Sequence, residues 1–422
     1  MTDAPAQQAV DEPKIQQLGD LDQALNSRPE RDHRRVRDLF ARGKLRTTMR
    51  FTREAVKDLE QALEIQEEIR GRRAPPGEET PVYAVLARLA EAIRVDARDR
   101  ISSMPPGSAE LSAATQRSIE TFGQAIENYH AEKVDAPANL SWMLAHRAAA
   151  YVMRVFVGVT SGNEAQAESD FAAAEANFLE AIRLFQLATG KRYVWADRFR
   201  AFSFALRGHE ANGETPSDFQ IARGILQELD ATDSDQLESA TKDSEAMLCS
   251  YAAFADPVAA VDGIEAALIS EGIDPERFRA CASRAYCIGG LAVRNPGDAL
   301  LAANLTAAID CAKTQAMDAL SQAIVTLASL TLLEGVSGGD DPKIASEKAN
   351  RILSTFAGIG QFPSIEGLSM MLRNPVWKAI KATVGSGDDE LRNTEFFARC
   401  SAVATKLKPN FDELRQSLAA QL

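Results

Sequence analysis

The sequence predicts an all-α chain built as a solenoid of antiparallel helix pairs. Three observations predict it. Apolar residues recur at helical spacing over long stretches from Asp32 onward, while the Val-Ile-Thr-Tyr alternation of half-buried strands is nearly absent. Short breaks rich in Gly, Pro, Asn and Asp punctuate those stretches. One small-large-small stripe then recurs along the chain, which separates a repeat array from a single bundle.

In chain order, residues 1–27 are rich in Gln, Asp, Ala and Pro with little periodicity, and read as a mobile or weakly helical lead. Residues 28–335 read as the repeat array, and residues 336–422 as C-terminal helical repeats or capping helices. The breaks fall at 72–81, 102–110, 134–139, 160–166, 209–218, 294–298, 336–343, 373–375 and 385–389, each holding residues that stop one helix or cap the next. Asp256-Pro257 and Asn295-Pro296 each pair an N-cap with a proline in the first turn. In the string LATGKRYV, Gly190 reads as a helix C-cap rather than part of a phosphate loop. Helices joined by such short breaks pack antiparallel on their neighbours.

The stripe is a small residue, a large apolar residue four positions on, and a small residue three further. It occurs as Ala55/Leu59/Ala62, Ser118/Phe122/Ala125, Ala174/Phe178/Ala181 and Ala260/Ile264/Ala267, with Ala222/Leu226/Leu229 a weaker copy. These spacings put all three residues on one side of a helix: the small ones admit a neighbouring helix and the large one fills the groove. Other helices carry a small or apolar residue three positions before an aromatic: Ala148/Tyr151, Ala201/Phe204 and Leu248/Tyr251, with Gly43 in the small position of the first pair. On these residues the chain resembles the tetratricopeptide repeat (TPR) family over roughly 30–270, and more loosely to 335. The resemblance implies a right-handed superhelix whose first helices line a concave groove that takes peptides. The separation between the two small positions departs from the repeat at Ala148/Ala174 and Ala201/Ala222, where longer helices or inserted loops are expected.

Composition bounds function. With 422 residues, 45% hydrophobic, the chain can bury a sizeable core, and a net charge of −13 gives it no general affinity for nucleic acid or acidic membranes. Residues 28–57 run against this, with eleven Lys/Arg and four Asp/Glu giving a local +7. The five cysteines, Cys249, Cys281, Cys287, Cys311 and Cys400, show no metal or redox spacing and read as reduced core residues of a cytoplasmic protein. No apolar run is long enough to span a bilayer, and the polar start lacks a signal peptide's pattern.

Catalytic constellations are missing. The four histidines make no metal-ligand pair, no nucleophile elbow occurs, and the glycines of FAGIGQF follow a helix rather than a strand. The reading is therefore non-catalytic, with no cofactor and no metal. Trp142 and Trp195 each precede the small residue of a first helix by six positions. The family resemblance places them, with Arg198, Arg37 and Lys44, on the groove. A second candidate surface is the basic segment, represented by Arg34, Arg35, Arg42, Arg46 and Arg50. The expected function is a TPR-like adaptor or regulatory subunit that binds a protein or peptide, acidic if it docks on the basic segment. Two alternatives stand beside it: a regulator sensing a small effector in the groove, and a nucleic-acid-associated subunit using residues 28–57. No membrane partner is expected, and the sequence assigns no oligomeric state.

Overall fold

In the computed structural model the chain is described over residues 4–316, apart from 50, 73–74, 76–78, 101–108, 210–215, 230–234, 254–256, 274–277 and 295–297. The helices expected over 336–422, together with Arg50, Cys400 and the Asn295-Pro296 cap, lie outside the described residues. Among those described there are thirteen helices and no strand. No described helix is long and apolar enough to cross a membrane.

After α1 (Ala4–Ser27) the helices alternate in pairs. These are α2 (His33–Thr48) with α3 (Thr52–Glu68), α4 (Val82–Arg100) with α5 (Ala109–Ala131), and α6 (Pro137–Ser161) with α7 (Glu164–Thr189). The remaining pairs are α8 (Val194–Arg207) with α9 (Asp218–Gln227), α10 (Asp235–Ala252) with α11 (Pro257–Ile273), and α12 (Phe278–Arg294) with α13 (Ala299–Ala316). The segment expected to be a mobile or weakly helical lead is thus helical from residue 4. Its end packs on α2, because Leu25 supplies an apolar side chain that is buried with Val36 and Leu39.

The boundaries follow local chemistry. Asp32 caps α2 by accepting the Arg34 N–H at 3.0 Å. Ser217 and Gln220 form a reciprocal capping box at the start of α9, and Asp298 accepts the N–H groups of Leu300 and Leu301 to open α13. Gly190, with φ of +69°, ends α7, and its N–H closes on the carbonyl of Gln186 at 2.8 Å.

Every copy of the stripe lies on the second helix of a pair, α3, α5, α7, α9 and α11, except that Leu229 of the weaker copy stands just past the end of α9. Its small members Ala55, Ala62, Ser118, Ala125, Ala174, Ala181, Ala222, Ala260 and Ala267 expose no surface, and neither do Leu59, Phe122, Phe178, Leu226 and Leu229. The small positions of the first helices, Gly43, Ala148, Ala201 and Leu248, are buried as well. At Gly43 the fit is close: a Cβ there would stand 2.7 Å from the Cγ of Leu59.

The contacts divide the chain into two compact units. Unit 1 comprises the described residues up to Arg98, then Ala109–Arg154 and Ala172–Tyr193, and unit 2 takes the rest. In unit 1, small hydroxyl residues at close helix contacts donate to a neighbour's backbone: Ser118 Oγ to the Ala90 carbonyl at 2.8 Å and Ser141 Oγ to the Ala181 carbonyl at 2.7 Å. These bonds join α5 to α4 and α6 to α7. In unit 2, each of the pairs α8/α9, α10/α11 and α12/α13 packs within itself; α11 also meets α12, and the first helices α8, α10 and α12 meet in sequence. Gly263 lets α11 approach so closely that a Cβ would lie 2.5 Å from the Cys287 sulfur on α12 and 2.7 Å from the Cys249 Cβ on α10.

The expectation that all five cysteines are reduced is corrected here. Cys281 on α12 and Cys311 on α13 are disulfide-bonded, with Cα atoms 5.8 Å apart. Thirty residues separate them, so no short spacing motif marks the pair; the packing of α13 against α12 brings them together. The cysteines therefore lend no support to a reducing compartment.

Candidate functional site

Unit 1 contains a cleft of about 320 Å³. Its walls come mainly from α4 and α6, which are first helices of successive pairs. From α4, Tyr83 and Arg88 lie on one side with the small Ala84 and Ala87 between them; from α6 come Ala138, Asn139, Trp142 and Met143. Phe40 of α2, Phe185 of α7 and Tyr193, just before α8, complete the lining. The alanines make the space, and the large rings border it.

The polar groups are tightly specified. The Arg88 guanidinium sits 4.3 Å from the centre of the Trp142 ring and donates to Glu91 at 2.7 Å, so its charge is paired. Tyr193 stacks on Phe185 with ring centres 4.4 Å apart, and burial pushes its phenol up to about 12, which keeps the hydroxyl neutral. The Tyr83 hydroxyl accepts from the Asn139 amide at 3.2 Å, and its ring meets Tyr129 edge-on. Behind the cleft, the buried His146 ring lies 4.2 Å from that of Trp142, while its Nδ1 is 3.1 Å from an Arg94 nitrogen. A guanidinium only donates, so Nδ1 accepts and the imidazole proton sits on Nε2. Burial, with the charges of Arg94 and Arg88 adding to it, holds His146 well below the ordinary imidazole value.

Of the residues the sequence singled out, Trp142 lines this cleft. Arg37 and Lys44 are exposed on α2 and do not line it; Phe40, one turn from each, does. Trp195 and Arg198 belong to unit 2, on α8. There the Trp195 ring packs 4.3 Å from that of Phe199, and Arg198 donates to the Ser244 hydroxyl at 2.9 Å. Sequence reasoning passed over Tyr83, Arg88, Phe185 and Tyr193. Tyr83 and Tyr193 lie at helix starts, away from the stripe, and no spacing tied them to Trp142.

The basic segment is largely occupied with its own ion pairs. Arg42 grips Asp58 of α3 with two nitrogens, at 2.7 and 3.0 Å, and reaches Asp22 of α1 at 2.6 Å. Arg46 donates to the same Asp58 at 2.8 Å. Arg28 pairs with Asp38, Arg31 with Glu68, and Arg35 donates to the Leu25 carbonyl. Arg42 and Arg46 were expected at the surface; only 17% and 18% of their side chains are exposed, because Asp58 draws both inward. Arg34 is exposed.

Among the described residues, metal and nucleophile chemistry find little material. The Glu271 carboxylate and the sulfurs of Cys281 and Cys311 lie within 4.8 Å of one another. Disulfide sulfurs, however, offer no thiolate, and Glu271 pairs with Arg284 at 2.9 Å. Cys249 and Cys287 are buried thiols; burial, with Cys249 beside it, pushes Cys287 well above the ordinary value, which makes it a poor nucleophile. The chain matches no known family model, and no curated protein is similar to it.

Proposed function

We propose that this protein is a non-catalytic adaptor or regulatory subunit, a TPR-like array of helix pairs in right-handed succession that offers the unit 1 cleft to a peptide. One observation carries the reading: a ring-lined cleft whose walls come mainly from first helices of successive pairs, with Trp142 in its lining. Aromatic residues held in a pocket are the usual anchors of peptide and protein recognition. The non-catalytic part is supported by the state of the described reactive groups, since the thiols of Cys249 and Cys287 are buried and Arg88 is already paired. Trp195 and Arg198 on α8 are proposed as further contact residues of the same class.

The second reading, sensing of a small effector, is favoured by the cleft's volume, which lies at the low end of the roughly 300–1,000 Å³ found for small-molecule pockets. The nucleic-acid reading draws less support, because Arg28, Arg31, Arg42 and Arg46 each face a carboxylate within the protein. Panning a displayed random-peptide library on the full chain and on Trp142→Ala tests the peptide reading. Enrichment on the wild type that Trp142→Ala abolishes supports it. A library that yields no Trp142-dependent sequence overturns it.

A further inference from the structure

Two of the residues lining the cleft carry hydrogen-bond donors that no described residue pairs. Tyr83 uses an oxygen lone pair to accept from Asn139, and its own O–H finds no acceptor among the described residues. The Trp142 indole N–H likewise has no protein acceptor among the described residues. The cleft thus presents two neutral donors on aromatic walls formed by Phe40, Tyr83, Trp142, Phe185 and Tyr193.

Charge narrows the occupant further. The Arg88 guanidinium already covers the Trp142 ring at 4.3 Å, so that face is not open to a second cation. Its pairing with Glu91 leaves little net charge to reward a carboxylate. The complement to such a site is neutral, carries flat apolar surface, and brings carbonyl acceptors. A helical segment fails that description, because its carbonyls are spent internally. Proline meets it: the ring is apolar, the backbone nitrogen carries no proton, and in the polyproline II conformation the carbonyls are free.

We propose that the cleft takes a short proline-containing segment in the polyproline II conformation, its rings against the aromatic walls and its carbonyls on Trp142 Nε1 and the Tyr83 hydroxyl. This rests on the peptide-binding reading and specifies the peptide. Fluorescence anisotropy with the full chain tests it, using a fluorescein-labelled polyproline oligomer, a Gly-Ser peptide of the same length and an Asp/Glu-rich one. Polyproline is expected to bind saturably and the other two to bind at least about tenfold more weakly, with little dependence on salt. Trp142→Phe and Tyr83→Phe keep a ring and remove one donor each, and each should weaken polyproline by about tenfold. Far-UV circular dichroism on both variants confirms that the helices are intact. Polyproline binding no better than the Gly-Ser peptide, or at wild-type strength to both folded variants, overturns the proposal. If library panning still returns Trp142-dependent peptides without proline, this inference alone falls; if panning returns none, the peptide reading falls with it.

Discussion

At Gly43 a hydrogen atom is all that the contact with Leu59 allows, because a Cβ would come within 2.7 Å of a fully buried side chain. Alanine is better than glycine in a helix by about 1 kcal/mol, yet overpacking a tight core contact costs about 1–3 kcal/mol. The contact should win. Gly43→Ala is expected to lower the urea midpoint, and a raised midpoint would place Gly43 at an open surface instead. His146 gives a second residue-scale expectation. Its folded value lies below the ordinary 6.5, so the unfolded chain takes up a proton first as the pH falls. Stability contributed by neutral His146 is therefore complete above 6.5 and declines as the pH drops below it. His146→Gln should flatten that slope in unfolding titrations. An unchanged slope would show that the other histidines carry it.

At the scale of elements, paired carboxylates fix where helices meet. Asp58 ties α3 to Arg42 and Arg46 of α2, which explains why so basic a helix packs as it does. Asp218, at the start of α9, takes Arg207 of α8 through two bonds, at 2.6 and 2.8 Å, and the His209 N–H at 2.8 Å. Burial works to raise the Asp218 carboxyl, but Arg207 and the His209 N–H together hold it below its ordinary value. Its stabilising effect is thus present above 3.8 and is lost as the pH falls further, toward the lower folded value. Asp218→Asn leaves Arg207, 18% exposed, without its charged partner and should cost about 3 kcal/mol in chemical unfolding. A loss within error would mean that Glu168, 3.4 Å from Arg207, takes over the pairing. This scale is also where the sequence was most legible. The stripe located the buried side of α3, α5, α7, α9 and α11, since small residues at helical spacing report a close neighbour directly. The ion pairs were not legible, because in a chain with 60 Asp and Glu no spacing singles out Asp58 or Asp218. The basic run likewise showed its charge but not the partners that absorb it.

For the whole molecule, Trp142 is the one lining residue of the cleft among the candidates the sequence singled out; the other rings of the cleft come from elements far apart in sequence and meet only through packing. Two surfaces compete to explain what the protein does, and their kinetics differ. Docking on the basic helix would be steered by charge and would fade with salt over a screening length of about 8 Å at physiological strength. Docking in the neutral cleft would be held by contact, so its loss would show in dissociation. Rates for one library-selected peptide on the wild type, Trp142→Ala and Arg34→Glu, at low and physiological salt, separate the two. The account predicts dissociation at least about tenfold faster from Trp142→Ala at either salt concentration, with Arg34→Glu matching the wild type. Unchanged dissociation from Trp142→Ala, together with slower low-salt association on Arg34→Glu, would contradict it.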